Sequence, residues 1–325
     1  MQDQILEILY KNKGKYVSPA EITSILNINQ DELEKNVAIL EECGYIIDSS
    51  YESGIRLIES THLILPYEIK RELKTNYIGH KIHYFSKIDS TNIAAKKLAE
   101  DGAPEGTIVI AETQTRGRGR RGKKWISPAG GIWMSIILRP KISPAEAPQL
   151  TLMTGVAVAK TIKNKFDLDV GIKWPNDILI GSQKVCGILT EANAKFNTLD
   201  YVVIGIGIDA NVATESFPSD IRINATSLKK ELGEEINGSE LIQDFLKIFE
   251  DNYDALKKGQ FPEILVEWRK LSKTIGSYVE VHKQGGKIVK GEAIGINKDG
   301  ALILERENGN LRKVISGECL HREKP

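Results

Sequence analysis

Three kinds of feature are scarce in this 325-residue chain. Its three cysteines, Cys43, Cys186 and Cys319, are too few and too widely separated for a disulfide framework or a cysteine metal site. No run of about 18 apolar residues occurs, so we expect no membrane span. The N-terminus carries acids and no long apolar stretch, unlike a secretory signal. Together these absences indicate a reducing, cytoplasmic setting.

Motifs of the common nucleotide-binding folds are also missing. No P-loop pattern occurs, and the glycine pair Gly205 and Gly207 is not followed by a Gly-x-x-Gly that leads into a helix. The five histidines form no metal-binding cluster, and nothing suggests a Ser/His/Asp triad. If the chain binds a nucleotide, it must hold it in another way.

The composition that remains is typical of a globular protein. With 41% apolar and 27% charged residues, the chain is long enough for two or three domains. The net charge is zero, but residues 1–65 carry five bases and eleven acids, which gives that segment −6 and the remainder +6. This asymmetry bears on DNA binding, because DNA-binding surfaces are usually basic.

The first sixty residues have the pattern of three short helices and a hairpin. Ser18–Glu21 reads as a capping box with a proline in the first turn, and Asn29 with Glu32 can cap a third helix that stops at Gly44. Two short apolar runs, 45–47 and 55–58, follow. This arrangement favours a winged helix-turn-helix, with any small helical cap as the alternative.

A linker near residues 61–82 leads to the largest domain. There, strand-like and helical stretches alternate, which is typical of an α/β or α+β domain. The strand-like runs are 107–111, 132–138 and 202–206, and the helical stretches are 90–100, 150–166 and 239–257. From Gly276 onward, glycine-containing turns separate short alternating strands at 278–282, 287–296, 301–305 and 311–315, a spacing that favours a small β-barrel.

Residues 115–125 form the most unusual segment, in which three glycines alternate with six cations before Trp125. Glycines let a backbone approach a ligand closely, and cations offset phosphate or carboxylate charge. By itself the segment fits a solvated basic loop, a nucleic-acid-binding segment, or a loop that orders over a phosphate-bearing small molecule.

Further polar clusters sit beside predicted strands and helices. Lys173–Asp177 precedes a short apolar run and fits a hairpin turn with a buried Trp or a nucleotide contact. Lys184 begins a strand, where it is either a surface lysine or a partner for a carboxylate or phosphate. Asp89–Asn92 can cap a helix or present polar groups to a ligand.

Taken together, these clusters resemble the bifunctional biotin–protein ligases that also repress the biotin operon, and they occur in the same order along the chain. The matching segments are Ser90–Asn92, Gln114, Gly117–Trp125, Lys173–Asp177, Lys184–Glu191 and Gly205–Asn211. The resemblance implies an α+β multidomain fold. Its expected parts are a winged helix-turn-helix DNA-binding domain (1–62), a class II tRNA synthetase-like α/β catalytic domain that binds biotin and ATP (63–275), and an SH3-like β-barrel (276–325).

The resemblance also implies the activity and its site. The expected reaction adenylates biotin with ATP and Mg²⁺, then passes biotin to a lysine of a biotin carboxyl carrier protein. The residues that resemble biotin contacts are Ser90, Thr91, Asn92, Gln114, Arg118, Gly119, Arg120 and Lys184. Those that resemble ATP or adenylate contacts are Trp125, as a lid on adenine, Asn176, Asp177 and Asp209, with Asp177 also placed near Mg²⁺. Lys184, Arg118 and Arg120 would carry the catalysis, and a homodimer is implied.

Three departures from the family pattern stand out. Asp209 replaces a usual Asn, which loses a donor if the carboxyl is ionised, and Lys123 replaces a more usual Arg. The expected recognition helix is acidic at 31, 32 and 34, which opposes the phosphate attraction that binding of biotin operator DNA requires. Its expected DNA contacts are Gln30, Lys35, Asn36 and Arg56. The alternatives are a non-catalytic biotin-sensing DNA-binding regulator and a lipoate–protein ligase.

Overall fold

The N-terminal unit, Met1–Glu68, consists of short helices and one hairpin in the computed structural model, which describes residues 1–50 and 53–324. Its elements are α1 (Gln2–Lys11), α2 (Pro19–Leu26), α3 (Gln30–Glu42), β1 (Ile46–Ser50) and β2 (Gly54–Glu59). The two strands pair antiparallel, so the predicted winged helix-turn-helix is confirmed. Glu52, one of the acids counted above, lies outside the described residues.

The third helix begins where its sequence predicts. The Asn29 side chain accepts a hydrogen bond from the backbone N–H of Glu32 (2.8 Å), and the Glu32 carboxylate accepts one from the backbone N–H of Asn29 (3.1 Å). This reciprocal pair satisfies two of the N–H groups that a helix start leaves free. The apolar side chains at spacing four then three are buried: Leu33, Val37 and Leu40.

The capping box expected at Ser18–Glu21 is wrong. Ser18 precedes α2 and Pro19 is its first residue, but the Ser18 side chain makes no capping bond. The backbone N–H of Glu21 donates instead to the Ser18 carbonyl (3.0 Å), so the donor that the box would satisfy already has a backbone partner.

The expected linker at residues 61–82 is partly helical. It contains α4 (Pro66–Arg71), whose leading proline suits the first turn of a helix because its fixed φ is already helical and its missing N–H is not needed there. The same stretch crosses the boundary to the second unit, Ile69–Pro325.

A seven-stranded mixed sheet organises the second unit, in the order β3-β4-β5-β9-β8-β7-β6. Only β3 and β4 pair in parallel. Its strands are β3 (Ile82–Ile88), β4 (Ile108–Gln114), β5 (Ile132–Leu138), β6 (Val170–Lys173), β7 (Asp177–Ile180), β8 (Gln183–Lys195) and β9 (Thr198–Ile208). The helices are α5 (Thr91–Glu100), α6 (Ala147–Phe166), α7 (Ser219–Arg222), α8 (Leu228–Leu232), α9 (Gly238–Lys257) and α10 (Phe261–Lys270).

One face of β9 is covered by α5 at one end and left uncovered by a helix at the other. Tyr201 and Val203 pack under α5 against its alanines Ala95 and Ala99. Because alternate residues of a strand share a face, Gly205 and Gly207 continue that same face beyond the helix. The sheet therefore offers a floor without side chains next to the start of α5.

The C-terminal part is a five-stranded antiparallel sheet in the order β13-β12-β11-β10-β14. Its strands are β10 (Tyr278–His282), β11 (Ile288–Ile296), β12 (Leu302–Glu305), β13 (Leu311–Val314) and β14 (Glu318–Arg322). The first four were predicted to within a residue, whereas β14 was not predicted. Across residues 1–50 and 53–324, no helix is both long and apolar enough to cross a membrane.

Candidate ligand-binding site

A cavity of about 540 Å³ opens over the glycine floor of the seven-stranded sheet. All twelve residues predicted to contact biotin or ATP line it: Ser90, Thr91, Asn92, Gln114, Arg118, Gly119, Arg120, Trp125, Asn176, Asp177, Lys184 and Asp209. They come from α5, from residues 115–125 (the basic glycine loop), from the β6–β7 turn and from strands β4, β8 and β9, so only the tertiary fold brings them together.

The glycines of the floor allow large side chains to lie directly on the sheet. A Cβ at Gly205 would stand 2.0 Å from Asn92 Oδ1, and one at Gly207 would stand 2.5 Å from Trp125 Nε1. Gly187, opposite Gly207 on β8, leaves room for the Trp125 ring in the same way, with 2.9 Å to a ring carbon. Glycine at these three positions thus lets Asn92 and Trp125 lie close against the sheet.

A hydrogen-bonded network fixes the polar end of the cavity. Gln114 Oε1 accepts from the backbone N–H of Thr91 (2.8 Å), while its amide donates to Ser127 Oγ (2.8 Å). The Ser135 hydroxyl donates to Asn92 Oδ1 (2.7 Å). Ser90, Thr91 and Asn92 are each under 5% exposed. The sequence predicts a helix cap within Asp89–Asn92, but the Ser90 side chain makes no capping bond. Gln114 from β4 instead accepts a hydrogen bond from the first backbone N–H of α5, that of Thr91.

The basic glycine loop closes one side of the cavity through two arginines. Arg118 Nη1 lies 3.3 Å from Glu191 Oε1, and Arg120 Nη1 donates to Asn176 Oδ1 at 2.7 Å. Burial lowers the pKa of the Arg120 guanidinium below its ordinary value, although an arginine stays charged at neutral pH. The loop thus carries fixed positive charge above the sheet floor.

Lys184 adds a further cation at the other end of the floor. Its Nζ lies 2.6 Å from Asp177 Oδ1 and 4.9 Å from the centroid of the Trp125 ring. The ion pair lacks hydrogen-bond angles, since this buried Asp177 oxygen has no hydrogen-bond partner. A β-bulge directs Lys184 into the cavity: Ile178 pairs with Cys186 and Leu179 with Lys184, which leaves Val185 without a partner on β7.

Asp209 is the most deeply buried acid of the cavity, at 3% exposure, and its Oδ1 has no hydrogen-bond partner. Burial raises the pKa of its carboxyl well above the ordinary 3.8, and the charge of Lys184 offsets only part of this rise. A protonated carboxyl both donates and accepts, as the usual Asn amide does.

The residues predicted to contact DNA lie in the N-terminal unit and are largely engaged there. Gln30 donates to Glu34 (2.9 Å), and the Asn36 amide donates to the Glu32 carbonyl (2.6 Å). Lys35 is exposed on α3. The guanidinium of Arg56 lies 4.4 Å over the ring of Tyr16 and 2.9 Å from an Asp48 oxygen.

Two residues of the site network were missed in the sequence. Ser135 is the single polar residue within the apolar strand Ile132–Leu138, and that interruption was a usable signal. Glu191, which holds Arg118, ends the Lys184–Glu191 segment and carried no signal of its own. No group of three or more His, Cys, Asp or Glu side chains in the described part of the chain could hold a metal ion.

Comparison with known families matches three parts of the chain. Residues 84–209 match the biotin/lipoate A/B protein ligase family, residues 274–322 the biotin protein ligase C-terminal domain, and residues 2–56 an HTH domain. The bifunctional ligase/repressor BirA of Bacillus spizizenii is 36% identical over 98% of both chains, and that of Escherichia coli is 28% identical over 94% of this chain and 92% of its own. The biotin protein ligase of Aquifex aeolicus in complex with biotin and ATP superimposes with a TM-score of 0.65 at 28% identity, over 75% of this chain and all of that one.

Proposed function

Because this chain belongs to the biotin–protein ligase family, we propose that its cavity forms biotinyl-5′-AMP from biotin and ATP and passes biotin to a lysine of a carrier protein. The chain is a biotin–protein ligase of the bifunctional ligase/repressor type. The acceptor, the residue roles and the boundaries 1–62, 63–275 and 276–325 are parts of the proposal.

The observation that carries the ligase chemistry is the convergence of Arg118, Arg120 and Lys184 on one cavity. The biotin carboxylate must attack the α-phosphate of ATP, and pyrophosphate must leave. Two anions approach each other in that step, and fixed cations in a partly enclosed site offset their repulsion. In the second step the carrier lysine amine attacks the acyl carbon, AMP leaves, and the amine loses a proton.

The two ends of the cavity suit the two substrates. The polar network of Ser90, Thr91, Asn92 and Gln114 offers donors and acceptors for the ureido group of biotin. Trp125, Asn176, Asp177 and Asp209 lie toward the other end, where an aromatic surface and buried polar atoms suit the nucleotide.

Magnesium fits this site only together with the nucleotide. Asp177 offers one carboxylate, and Mg²⁺ is usually held by one or two carboxylates plus substrate phosphates. When bound, it would offset phosphate charge. Asp177 would meanwhile keep Lys184 positioned, with its Nζ directed at the reacting groups.

The test is transfer of labelled biotin to a biotin carboxyl carrier domain in the presence of ATP and Mg²⁺. Labelled carrier is the expected result, and a carrier with its acceptor lysine changed to arginine is the control. An inactive protein that still binds biotin would favour the non-catalytic sensor. Transfer of lipoate at a comparable rate would favour the lipoate ligase.

The N-terminal unit, which matches an HTH domain, supports a second activity, repression of biotin genes at an operator. A homodimer is the proposed DNA-binding form. The exposed α3 of this unit carries Asp31 and Glu34 close to Lys35, so phosphate attraction should be weak. A gel shift on DNA upstream of biotin genes, with biotin and ATP present, tests this. Absence of a shift at about 50 mM salt, well below physiological ionic strength, would remove the repressor role.

A further inference from the structure

Glu191 is a charged residue beside the cavity to which the family resemblance assigns no role. Its side chain is 19% exposed, and it is held by three donors. Asn92 Nδ2 donates at 3.0 Å, Lys96 Nζ lies at 3.4 Å and Arg118 Nη1 lies at 3.3 Å. Two of these partners belong to α5 and the third to the basic glycine loop, so one carboxylate joins the two walls of the cavity.

The strand register explains why Glu191 reaches both walls. On β8, Glu191 lies opposite Val203 and Leu189 lies opposite Gly205. Since alternate residues share a face, Glu191 lies on the same face as the glycine floor. The open space above Gly205 is the place that Asn92 fills, so the amide and the carboxylate meet directly over the sheet.

Glu191 fixes which way the Asn92 amide points. Asn92 Oδ1 accepts from Ser135, and its amide nitrogen donates to Glu191, so a rotated amide would lose the bond to Glu191 and place its oxygen against the carboxylate. Asn92 is 4% exposed, and a buried amide without partners is costly. The amide is therefore set before any ligand arrives.

Glu191 also limits where Arg118 can go. The Arg118 side chain is 42% exposed, and the contact with Glu191 is its ion pair with the body of the sheet. A flexible arginine at the edge of a cavity must lose rotamer freedom when it grips a ligand, and an existing partner reduces that loss. The charges of Lys96 and Arg118 offset the charge of Glu191, which keeps this wall from repelling an anion.

We propose that Glu191 is a positioning residue for the biotin half of the site, setting the Asn92 amide and holding Arg118 over the cavity. This inference rests on the proposed ligase function. Glu191 touches no reacting atom, so its effect is on biotin affinity and adenylate retention. ATP, at the other end of the cavity, should be insensitive to it.

The test measures steady-state kinetics of Glu191→Gln and Glu191→Ala, with biotin and ATP varied separately. Gln keeps an acceptor for Asn92 but loses the ion pairs, so KM for biotin should rise about three- to tenfold, as expected for partly screened charges. Ala also loses the hydrogen bond to Asn92, and KM for biotin should rise about 10- to 100-fold. In both variants KM for ATP should stay within about twofold of the unmodified value, a range too small to count as a lost contact.

Glu100→Gln is the matched control. Glu100 ends α5 and accepts a hydrogen bond from Tyr201 away from the cavity, so its change should leave both KM values unaltered. Thermal melts of all three variants report any loss of folding separately. Biotin binding followed by calorimetry without ATP gives a second readout, in which the order unmodified, Gln, Ala should repeat.

Three outcomes would overturn the inference. One is an unchanged KM for biotin in both Glu191 variants, and another is an equal rise in the KM values for biotin and ATP. The third is a loss confined to kcat. If the unmodified protein forms no adenylate, the proposed function itself fails and the inference falls with it, whereas an active enzyme with unaffected variants removes the inference alone.

Discussion

Lys184→Ala removes the cation that pairs with Asp177 in the cavity. Its Nζ lies 2.6 Å from Asp177 and next to the Trp125 ring, where a reacting carboxylate and phosphate would meet in the proposed reaction. The substitution also leaves the Asp177 carboxylate without its counter-charge. Both changes make the site more negative at the moment when two anions must approach.

The expected increase in the barrier to adenylate formation follows from the distance between the Lys184 charge and the phosphate and from the exposure of the lysine. A unit charge about 4 Å from a phosphate oxygen is worth about 4 kcal/mol at an effective dielectric constant of about 20. Lys184 is 29% exposed, so water screens part of this interaction. We therefore expect a barrier higher by about 2–4 kcal/mol, or adenylate formation slower by about 30- to 1,000-fold.

The assay is the rate of pyrophosphate release at saturating biotin and ATP. Transfer from synthetic biotinyl-5′-AMP to the carrier domain should slow much less, because the two anions have already been joined. Lys195→Ala is the control, since Lys195 lies on the same strand but is 69% exposed and pairs with Asp200 outside the cavity. Pyrophosphate release within twofold of the unmodified rate would refute the role of Lys184.

Three further predictions concern the loop and the floor. Arg120→Gly breaks the 2.7 Å bond to Asn176 that ties the loop across the cavity, so biotinyl-5′-AMP should escape and label bystander proteins more, measured by blotting; unchanged labelling would contradict the retention role. The folded pKa of Asp209 is raised, so the stability it contributes is complete below the ordinary value of 3.8 and is lost as the pH rises toward the folded value. Asp209→Asn should therefore melt at a higher temperature than the unmodified protein at pH 8, and at no higher a temperature near pH 3.8. If the two proteins had the same melting temperature at both pH values, the pKa of Asp209 would not be raised. Gly207→Ala places a Cβ 2.5 Å from Trp125 Nε1, so the ring must shift at a cost of about 1–3 kcal/mol. We expect a lower melting temperature and a higher KM for ATP. If both stayed unaltered, the Trp125 ring would be free to move.

Much of the N-terminal unit and the C-terminal sheet could be predicted because their signals are local. The capping pair Asn29 and Glu32 starts α3, and the predicted strand 278–282 coincides with β10. A helix cap, like the two-residue alternation of a strand, depends on only a few neighbouring residues, so both can be predicted from the sequence. The predicted capping box at Ser18 is wrong for a reason that is also local: the backbone N–H of Glu21 donates to the Ser18 carbonyl and not to its side chain.

The order of the motifs along the chain determined the family and the list of ligand-binding residues, but their arrangement depends on strand register. The bulge at Val185 shifts β8 by one residue, and without it Lys184 would face away from Gly187 and the cavity. The contacts of Glu191 with Asn92 and Arg118 join residues far apart in the chain. No local pattern records such pairings, because they exist only once α5, the basic loop and β8 are packed on one sheet. The sequence by itself therefore determined which residue types are present and in what order, and the tertiary structure decided which of them face one another.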